Sequence, residues 1–135
     1  MHTEAFTVFV YGTLKPGGHY WHRFCEGKVS RVVAARIRGS LYDLHVGYPG
    51  LVLDDGGWVQ GFLLTFESLK ELEHLDRLEG FDENRPADRN DYLRLKVRCF
   101  NEHGESFGEH WSYEMTQGLR EQHRCTLIEN GEWPV

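Results

Sequence analysis

The stretch Ser68-Leu69-Lys70-Glu71-Leu72-Glu73-His74-Leu75-Asp76-Arg77-Leu78-Glu79-Gly80 is the one long run with a helical apolar period, and it carries a carboxylate where a core-facing residue belongs. At about 100° per residue, Leu69, Leu72, Leu75 and Leu78 form a single stripe. Glu79, seven residues after Leu72 and four after Leu75, falls near its middle, with Asp76 at its edge. Ser68 and Glu71 stand at the spacing of a capping box, and Gly80 suits the left-handed position past a helix end, so the spacing predicts a helix over 68–79. Lys70, Glu71, Glu73, His74 and Arg77 lie further round and need only water.

An ionised carboxylate facing a core is costly unless paired, and desolvation raises its pKa. Unpaired carbonyls in the last helical turn disfavour an anion further. Glu79 is therefore the candidate general acid/base of the chain. The competing reading of the same residues has the helix fraying at Leu78, with Glu79 turned to water or paired with an arginine.

On either side of this helix the apolar residues recur with the shorter period of strands. Phe6-Thr7-Val8-Phe9-Val10-Tyr11 is continuously apolar and β-branched, which predicts a strand buried on both faces and central in its sheet. It runs into Gly12-Thr13-Leu14-Lys15-Pro16-Gly17-Gly18, a turn whose main-chain N–H groups converge at the strand's end and offer a place for an anion. It is no phosphate loop of the Walker type, since the Gly-Lys-Ser/Thr ending is missing. A short helix is expected within 19–26; His19 and His22 there are read as solvated, since no further metal ligands can be placed beside them.

Val29 to Leu44 reads as one long strand bent at Gly39, followed by a turn at Tyr48-Pro49-Gly50 and a short strand at Leu51-Val52-Leu53. Asp54-Asp55-Gly56-Gly57 turns into a strand over 58–66. After the helix, a polar loop containing Pro86 leads to the alternating strand 92–100. Asn101 to Glu105 makes a hairpin loop whose partner strand returns over 109–115, and Trp133 in the tail is placed to cover a sheet edge. No internal repeat, linker or low-complexity tract interrupts this order. A chain of 135 residues so arranged is expected to form one domain over 1–135, an α+β fold dominated by antiparallel strands.

Charge and cysteine usage narrow the function. A formal charge of −6 with no run of Lys or Arg argues against nucleic acid as a partner. Cys25, Cys99 and Cys125 are odd in number and widely separated, so neither a disulfide framework nor a zinc ribbon is indicated, and buried free thiols are expected. Met1-His2-Thr3-Glu4 lacks the basic and apolar regions of a leader, and no apolar run reaches the length of a membrane span. A soluble, cytoplasmic protein without membrane partners is the expectation.

Taken in order, Tyr11-Gly12-Thr13-Leu14-x-x-Gly17, Gly39-x-Leu41-Tyr42-x-Leu44, Tyr48-Pro49-Gly50, Gly61, Leu75-Asp76-x-x-Glu79-Gly80, Tyr92-x-Arg94, Trp111-x-Tyr113 and Asn130-Gly131-x-Trp133 resemble the γ-glutamylcyclotransferase-like proteins, including their AIG2-like and γ-glutamylamine cyclotransferase branches. The resemblance spans nearly the whole chain. It implies a mixed, largely antiparallel β-barrel with a few flanking helices, and a catalytic glutamate in the Leu-Asp-x-x-Glu-Gly motif. That glutamate falls on Glu79, the residue the helical arithmetic singles out.

The implied reaction is attack of a γ-glutamyl group's own α-amine on its γ-carbonyl, which closes 5-oxoproline and expels an amine. Nucleophile and electrophile belong to one substrate, so neither a Ser or Cys nucleophile nor a cofactor or metal is called for. Glu79 is expected to shuttle the proton, and the main chain of Tyr11, Gly12, Thr13 and Leu14 to hold the substrate carboxylate and the oxyanion. Tyr92 and Tyr113 are expected to bind substrate, to bond Glu79, or to stand as wall aromatics with their hydroxyls held by the backbone. Arg94 either pairs a carboxylate or is simply solvated. The loop lacks the additional asparagine of the glutathione and γ-glutamyl amino-acid branch, and the Pro86 loop is more similar to the γ-glutamylamine branch. A different class of function uses the same pocket to bind a small carboxylate or amine without turnover.

Overall fold

The computed structural model describes residues 4–135. Met1, His2 and Thr3, part of the stretch read above for a leader, lie outside the described residues. In chain order the elements are β1 (Phe6–Val10), α1 (Trp21–Phe24), β2 (Val29–Arg38), β3 (Ser40–Asp43), β4 (Pro49–Val52) and β5 (Trp58–Phe66). They continue with α2 (Lys70–Leu78), a short 3₁₀ turn (Ala87–Arg89), β6 (Tyr92–Phe100), β7 (Ser106–Met115), α3 (Gln117–Gln122) and β8 (Thr126–Leu127). No helix among the described residues is long and apolar enough to cross a membrane.

Five strands close into a barrel in the order β1-β5-β2-β6-β7, and β4-β3-β8 make a second sheet. β1 pairs antiparallel with β5, Phe6 opposite Phe66 and Val10 opposite Phe62. Its other edge meets β7 in parallel at Val8 opposite Trp111, and that single parallel seam makes the barrel mixed. The continuous apolar sequence of β1 serves this position. Val8, Phe9 and Val10 are each at most 3% exposed. Val8 and Val10 face a cluster that includes Leu64, Phe66, Leu72 and Leu75, outside the barrel wall under α2. Phe9 and the following Tyr11 face inward among Ala35, Ile37, Val59, Leu63 and Val97.

Three expectations change. The predicted strand from Val29 to Leu44 is two strands in different sheets, and Gly39 is where the chain leaves the barrel, its N–H donating to Gly57 O at 3.0 Å. Pro49-Gly50 is not a turn but the start of β4. The reversal lies just before it, at His45 and Gly47 with φ of 64° and 95°. β4 is an edge strand, so the missing N–H of Pro49 removes no necessary ladder bond.

The capping box is also not formed. Ser68 Oγ accepts from Lys70 N at 3.2 Å, while the Glu71 carboxylate turns to His74 Nδ1 at 3.3 Å and Lys28 Nζ at 3.6 Å. The helix accordingly starts at Lys70 rather than 68, and Leu69 is left 42% exposed. The three cysteines are free as expected, Cys25 and Cys99 buried and Cys125 only partly so, while β7 begins three residues earlier than expected, α3 and β8 were not foreseen, and Trp133 packs against the inner cluster.

Of the stripe, then, only Leu72 and Leu75 are fully buried. Leu75→Ala should cost about 2–5 kcal/mol, the range for emptying a core leucine site, whereas Leu69→Ala should stay within about 0.5 kcal/mol. Urea denaturation of the two variants at one pH checks the contrast.

Candidate active site

The site forms where β1 leaves the barrel beside the C-terminal end of α2. Past Val10 the chain turns at Gly12, where a Cβ would stand 2.9 Å from Cγ and Cδ of the Pro49 ring, so only glycine lets this turn lie against β4. Carbonyls of the turn are used internally: Gly12 O accepts from Lys15 N at 3.1 Å and Thr13 O from Tyr20 N at 2.8 Å. The N–H groups of Gly12, Thr13 and Leu14, by contrast, meet no acceptor among the described residues. Three successive main-chain donors thus sit beside a cavity whose lining includes Tyr11, Gly12, Thr13, Leu14, Tyr48, Pro49, Glu79 and Tyr113. That lining brings together every residue expected at the site except Tyr92. The cavity is tight, about 30 Å³.

Glu79 arrives there through the way α2 ends. Gly80, at φ 64°, donates to Arg77 O at 3.2 Å and Phe81 N–H reaches back to Asp76 O at 2.9 Å, the two bonds of a Schellman end. A side chain at position 80 would also stand 2.6 Å from Asp91 Oδ2. Gly80 therefore fixes the backbone of Glu79, the last residue before the left-handed turn. Glu79 N–H still bonds Leu75 O at 3.0 Å, so the helix does not fray at Leu78.

The residue is half-buried, and its carboxyl is shut off enough from water that its pKa is raised to about 8. Desolvation is the largest cause, and the negative charges of Asp76 and Asp91 add to it. No arginine pairs with Glu79 among the described residues.

Asp76, at the stripe's edge in the sequence, proves to be a junction. Its Oδ2 accepts from Arg94 Nη1 at 2.6 Å and its Oδ1 from the Tyr113 hydroxyl at 2.7 Å. Burial raises its pKa in spite of both donors. The Arg94 guanidinium lies over the rings of Trp111 at 4.8 Å and Phe81 at 5.4 Å. Of the alternatives for Arg94, the paired one is observed.

Neither Tyr92 nor Tyr113 bonds Glu79. Tyr92 OH donates to Pro49 O at 2.7 Å, behind the cavity wall, which is the wall-aromatic arrangement. Tyr113 lines the cavity, and its carbonyl takes the Tyr11 hydroxyl at 2.7 Å. Burial holds all three phenol pKa values above the ordinary value.

Sequence reasoning missed Tyr48 and Pro49 as wall residues, although their motif is visible; it also gave no role to Asp91. A roomier depression of about 420 Å³ lies against β2, β5 and the β6–β7 hairpin. It contains neither the donor cradle nor Glu79, so the chemistry and not the volume marks the site. Among the described residues no group of three or more His, Cys, Asp or Glu side chains is placed to hold a metal ion.

The family model described as γ-glutamyl cyclotransferase, AIG2-like, matches residues 8–135. The γ-L-glutamyl-butirosin B γ-glutamyl cyclotransferase of Niallia circulans is 32% identical over 111 residues, which cover 78% of this chain and 64% of that protein. This chain thus spans just under two thirds of that relative's length. A protein of Arabidopsis thaliana solved in solution has a TM-score of 0.64 at 25% identity, covering 87% of this chain and 73% of that one. A mouse AIG2-like protein has a TM-score of 0.62 at 20% identity, covering 85% and 79%, a likeness of fold.

Because the folded chain binds the Glu79 proton up to about pH 8 and the unfolded chain releases it near 4.5, stability falls as pH rises through that window. The slope from this one group is at most ~1.4 kcal/mol per pH unit. Glu79→Gln should therefore melt at a higher temperature than the unmodified chain at pH 9 and at nearly the same temperature at pH 4. Differential scanning calorimetry at the two pH values reads the difference.

Proposed function

The chain belongs to the AIG2-like γ-glutamyl cyclotransferase family, and on that premise we propose that it releases 5-oxoproline from γ-glutamyl amines with Glu79 as the proton shuttle. The observation that carries this reading is a desolvated carboxyl sharing one cavity with three free main-chain donors.

In the proposed reaction the substrate's α-nitrogen bonds to its γ-carbonyl carbon, the carbonyl oxygen becomes an oxyanion, and the C–N bond to the leaving amine then breaks. Starting from the α-ammonium, two protons leave the α-nitrogen, one before attack and one as the ring closes, and both pass by way of Glu79 to the departing nitrogen, so the amine leaves as an ammonium ion and no water or cofactor is consumed. An α-ammonium group titrates near pH 8 in ordinary peptides. A carboxyl raised to about 8 exchanges a proton with such a group almost without driving force in either direction, which suits a group that must take a proton and then return it.

The N–H groups of Gly12, Thr13 and Leu14 supply fixed dipoles for the α-carboxylate and the oxyanion. Tyr11, Tyr48 and Tyr113 give the walls that fold the γ-glutamyl chain toward ring closure. Tyr92 acts from behind, holding Pro49, and Pro49 in turn holds the turn at Gly12. A cavity of about 30 Å³ has room for little more than a water molecule, so substrate binding includes a parting of these walls.

The leaving group is read as an amine rather than an amino acid, because the loop lacks the extra asparagine and the Pro86 loop more resembles that of the γ-glutamylamine branch. The name of the Niallia circulans relative agrees with an amine carried on a larger molecule.

Incubation with a panel of γ-glutamyl amines and γ-glutamyl amino acids, followed by chromatography for 5-oxoproline, tests the proposal. Amines should be turned over, and Glu79→Gln should lower the rate about 10²- to 10⁴-fold, the usual worth of a positioned acid/base. No product from any substrate, with ligand-induced stabilisation retained, would instead make the pocket a binding module. Equal turnover by Glu79→Gln would remove this role from Glu79.

A further inference from the structure

One charged pair behind the cavity has no part in the reaction as drawn. Arg94, on β6, reaches back to α2 and gives Nη1 to Asp76 at 2.6 Å; both side chains are largely buried, at 17% and 18% exposed. Its Nε is buried without a partner, and its flat face is covered by Trp111 and Phe81. A guanidinium so enclosed, with one donor unsatisfied, is an expensive arrangement for stability alone, since buried ion pairs often contribute less than apolar residues of the same volume.

Its position suggests another use. Asp76 stands three residues before Glu79, so the two side chains emerge as neighbours at the helix end. Arg94 is bonded to the first of these neighbours, yet the charges that act on Glu79 are those of Asp76 and Asp91, both negative.

We propose that Asp76 is a positioning residue that keeps Arg94 away from Glu79, holding that guanidinium on its own carboxylate so that the acid/base stays unpaired. The same carboxylate does a second job through its other oxygen, fixing the Tyr113 hydroxyl and with it the ring that walls the cavity. The idea rests on the reading of Glu79 as the acid/base for its consequence in turnover. The arrangement of charges it describes stands apart from that reading.

The titratable groups that interact with Glu79 agree with this division. From α2 comes Asp76, and from the stretch before β6 comes Asp91. Tyr11 after β1, Tyr48 before β4, Tyr92 on β6 and Tyr113 on β7 present neutral phenols, each of which feels the Glu79 charge. Arg85, bonded at the end of α2, is held by the carbonyl of Gly80 through Nη2 at 2.9 Å and by Asn90 Oδ1 through Nε at 3.1 Å.

If Arg94 were released, it would stabilise the Glu79 anion and weaken it as a base. Asp76→Asn keeps an oxygen for Tyr113 or Arg94 but removes the charge that holds the guanidinium, while Arg94→Met removes the cation. The titration midpoint of Glu79 is measured without substrate, by carbon NMR on chain labelled at the glutamate carboxyl carbons, with Glu79→Gln assigning the resonance. Melting temperature and circular dichroism show which variants are folded.

In Asp76→Asn the midpoint should fall by about one pH unit or more. Arg94→Met should not lower it, and should raise it by more in the Asp76→Asn background than in the unmodified chain; equal effects in the two backgrounds would mean that only the Asp76 charge was lost and would overturn the proposal. With a γ-glutamyl amine that the unmodified chain turns over, Asp76→Asn should lose kcat about tenfold with KM changed less than twofold, and the acid limb of its pH profile should shift downward. The double variant should regain part of that kcat. A midpoint in Asp76→Asn within a few tenths of a unit of the unmodified chain overturns the proposal, as does a double variant that falls as far as Asp76→Asn. Absence of turnover in the unmodified chain would count against the acid/base reading alone, since the titration is decided without it.

Discussion

β1 is buried on both faces and paired along both edges, and the arrangement of the rest follows from that. One face belongs to the barrel interior and the other to the layer under α2, so the strand separates the two apolar clusters and belongs to each. Its parallel seam with β7 closes the barrel. A strand locked in this way fixes where its exit stands, and with it the main-chain donors that follow. Gly12 pressed on Pro49, and Tyr92 bonded to the Pro49 carbonyl, extend the same constraint from the barrel across to β4. Donors that must meet a developing charge at a fixed distance are best carried on such an immobile end, because no reorganisation remains to be done during the reaction.

Against this rigid donor set stands a carboxyl that the fold makes uncomfortable. Burial and two neighbouring carboxylates raise the Glu79 pKa toward 8, and the molecule gives up stability at neutral and alkaline pH to keep it so. A lone salt bridge would relieve the strain and abolish the property. The site therefore combines two opposite designs: on the β1 side three main-chain donors are left without acceptors, and on the α2 side negative charge is gathered while Arg94 and Arg85 are occupied. Such locally unfavourable electrostatics concentrated at one cavity is the pattern by which functional groups are usually betrayed.

How much of this the sequence disclosed depends on how far apart the interacting residues are. β5 and β6 were legible to the residue, since a largely apolar run follows the Gly56-Gly57 turn from Trp58 to Phe66, and apolar and basic residues alternate within Tyr92 to Phe100. Glu79 was legible because the helical period that exposes it is local, and Gly80 because a left-handed end has a one-residue signature. Pro49 was misread as a turn: whether a proline can open a strand depends on that strand lying at a sheet edge, which is a property of the whole fold. The capping box failed for a related reason, since Glu71 finds Lys28 on the far side of the chain and His74 in its own helix. Asp76 looked like a peripheral charge because its partners, Arg94 and Tyr113, lie 18 and 37 residues away. No short-range pattern carries that information.

The spareness of the site follows from the reaction it is proposed to serve. When nucleophile and electrophile are parts of one molecule, the largest contribution an enzyme can make is to hold that molecule in the folded conformer from which the ring closes, and effective molarities of about 10⁵–10⁸ M measure how much such positioning is worth. What remains is to hold a charge that appears briefly and to carry protons from one nitrogen to the other. Main-chain N–H groups at a strand exit suffice for the first, and one carboxyl of matched basicity for the second. Cys25 illustrates the corollary: it is buried, its thiol pKa is pushed up to about 12, and its hydrogen goes to Leu14 O, so it supports the turn instead of attacking anything. A barrel of this size can therefore carry the chemistry with one ionisable residue at the reacting atoms, provided the fold keeps every cation away from it.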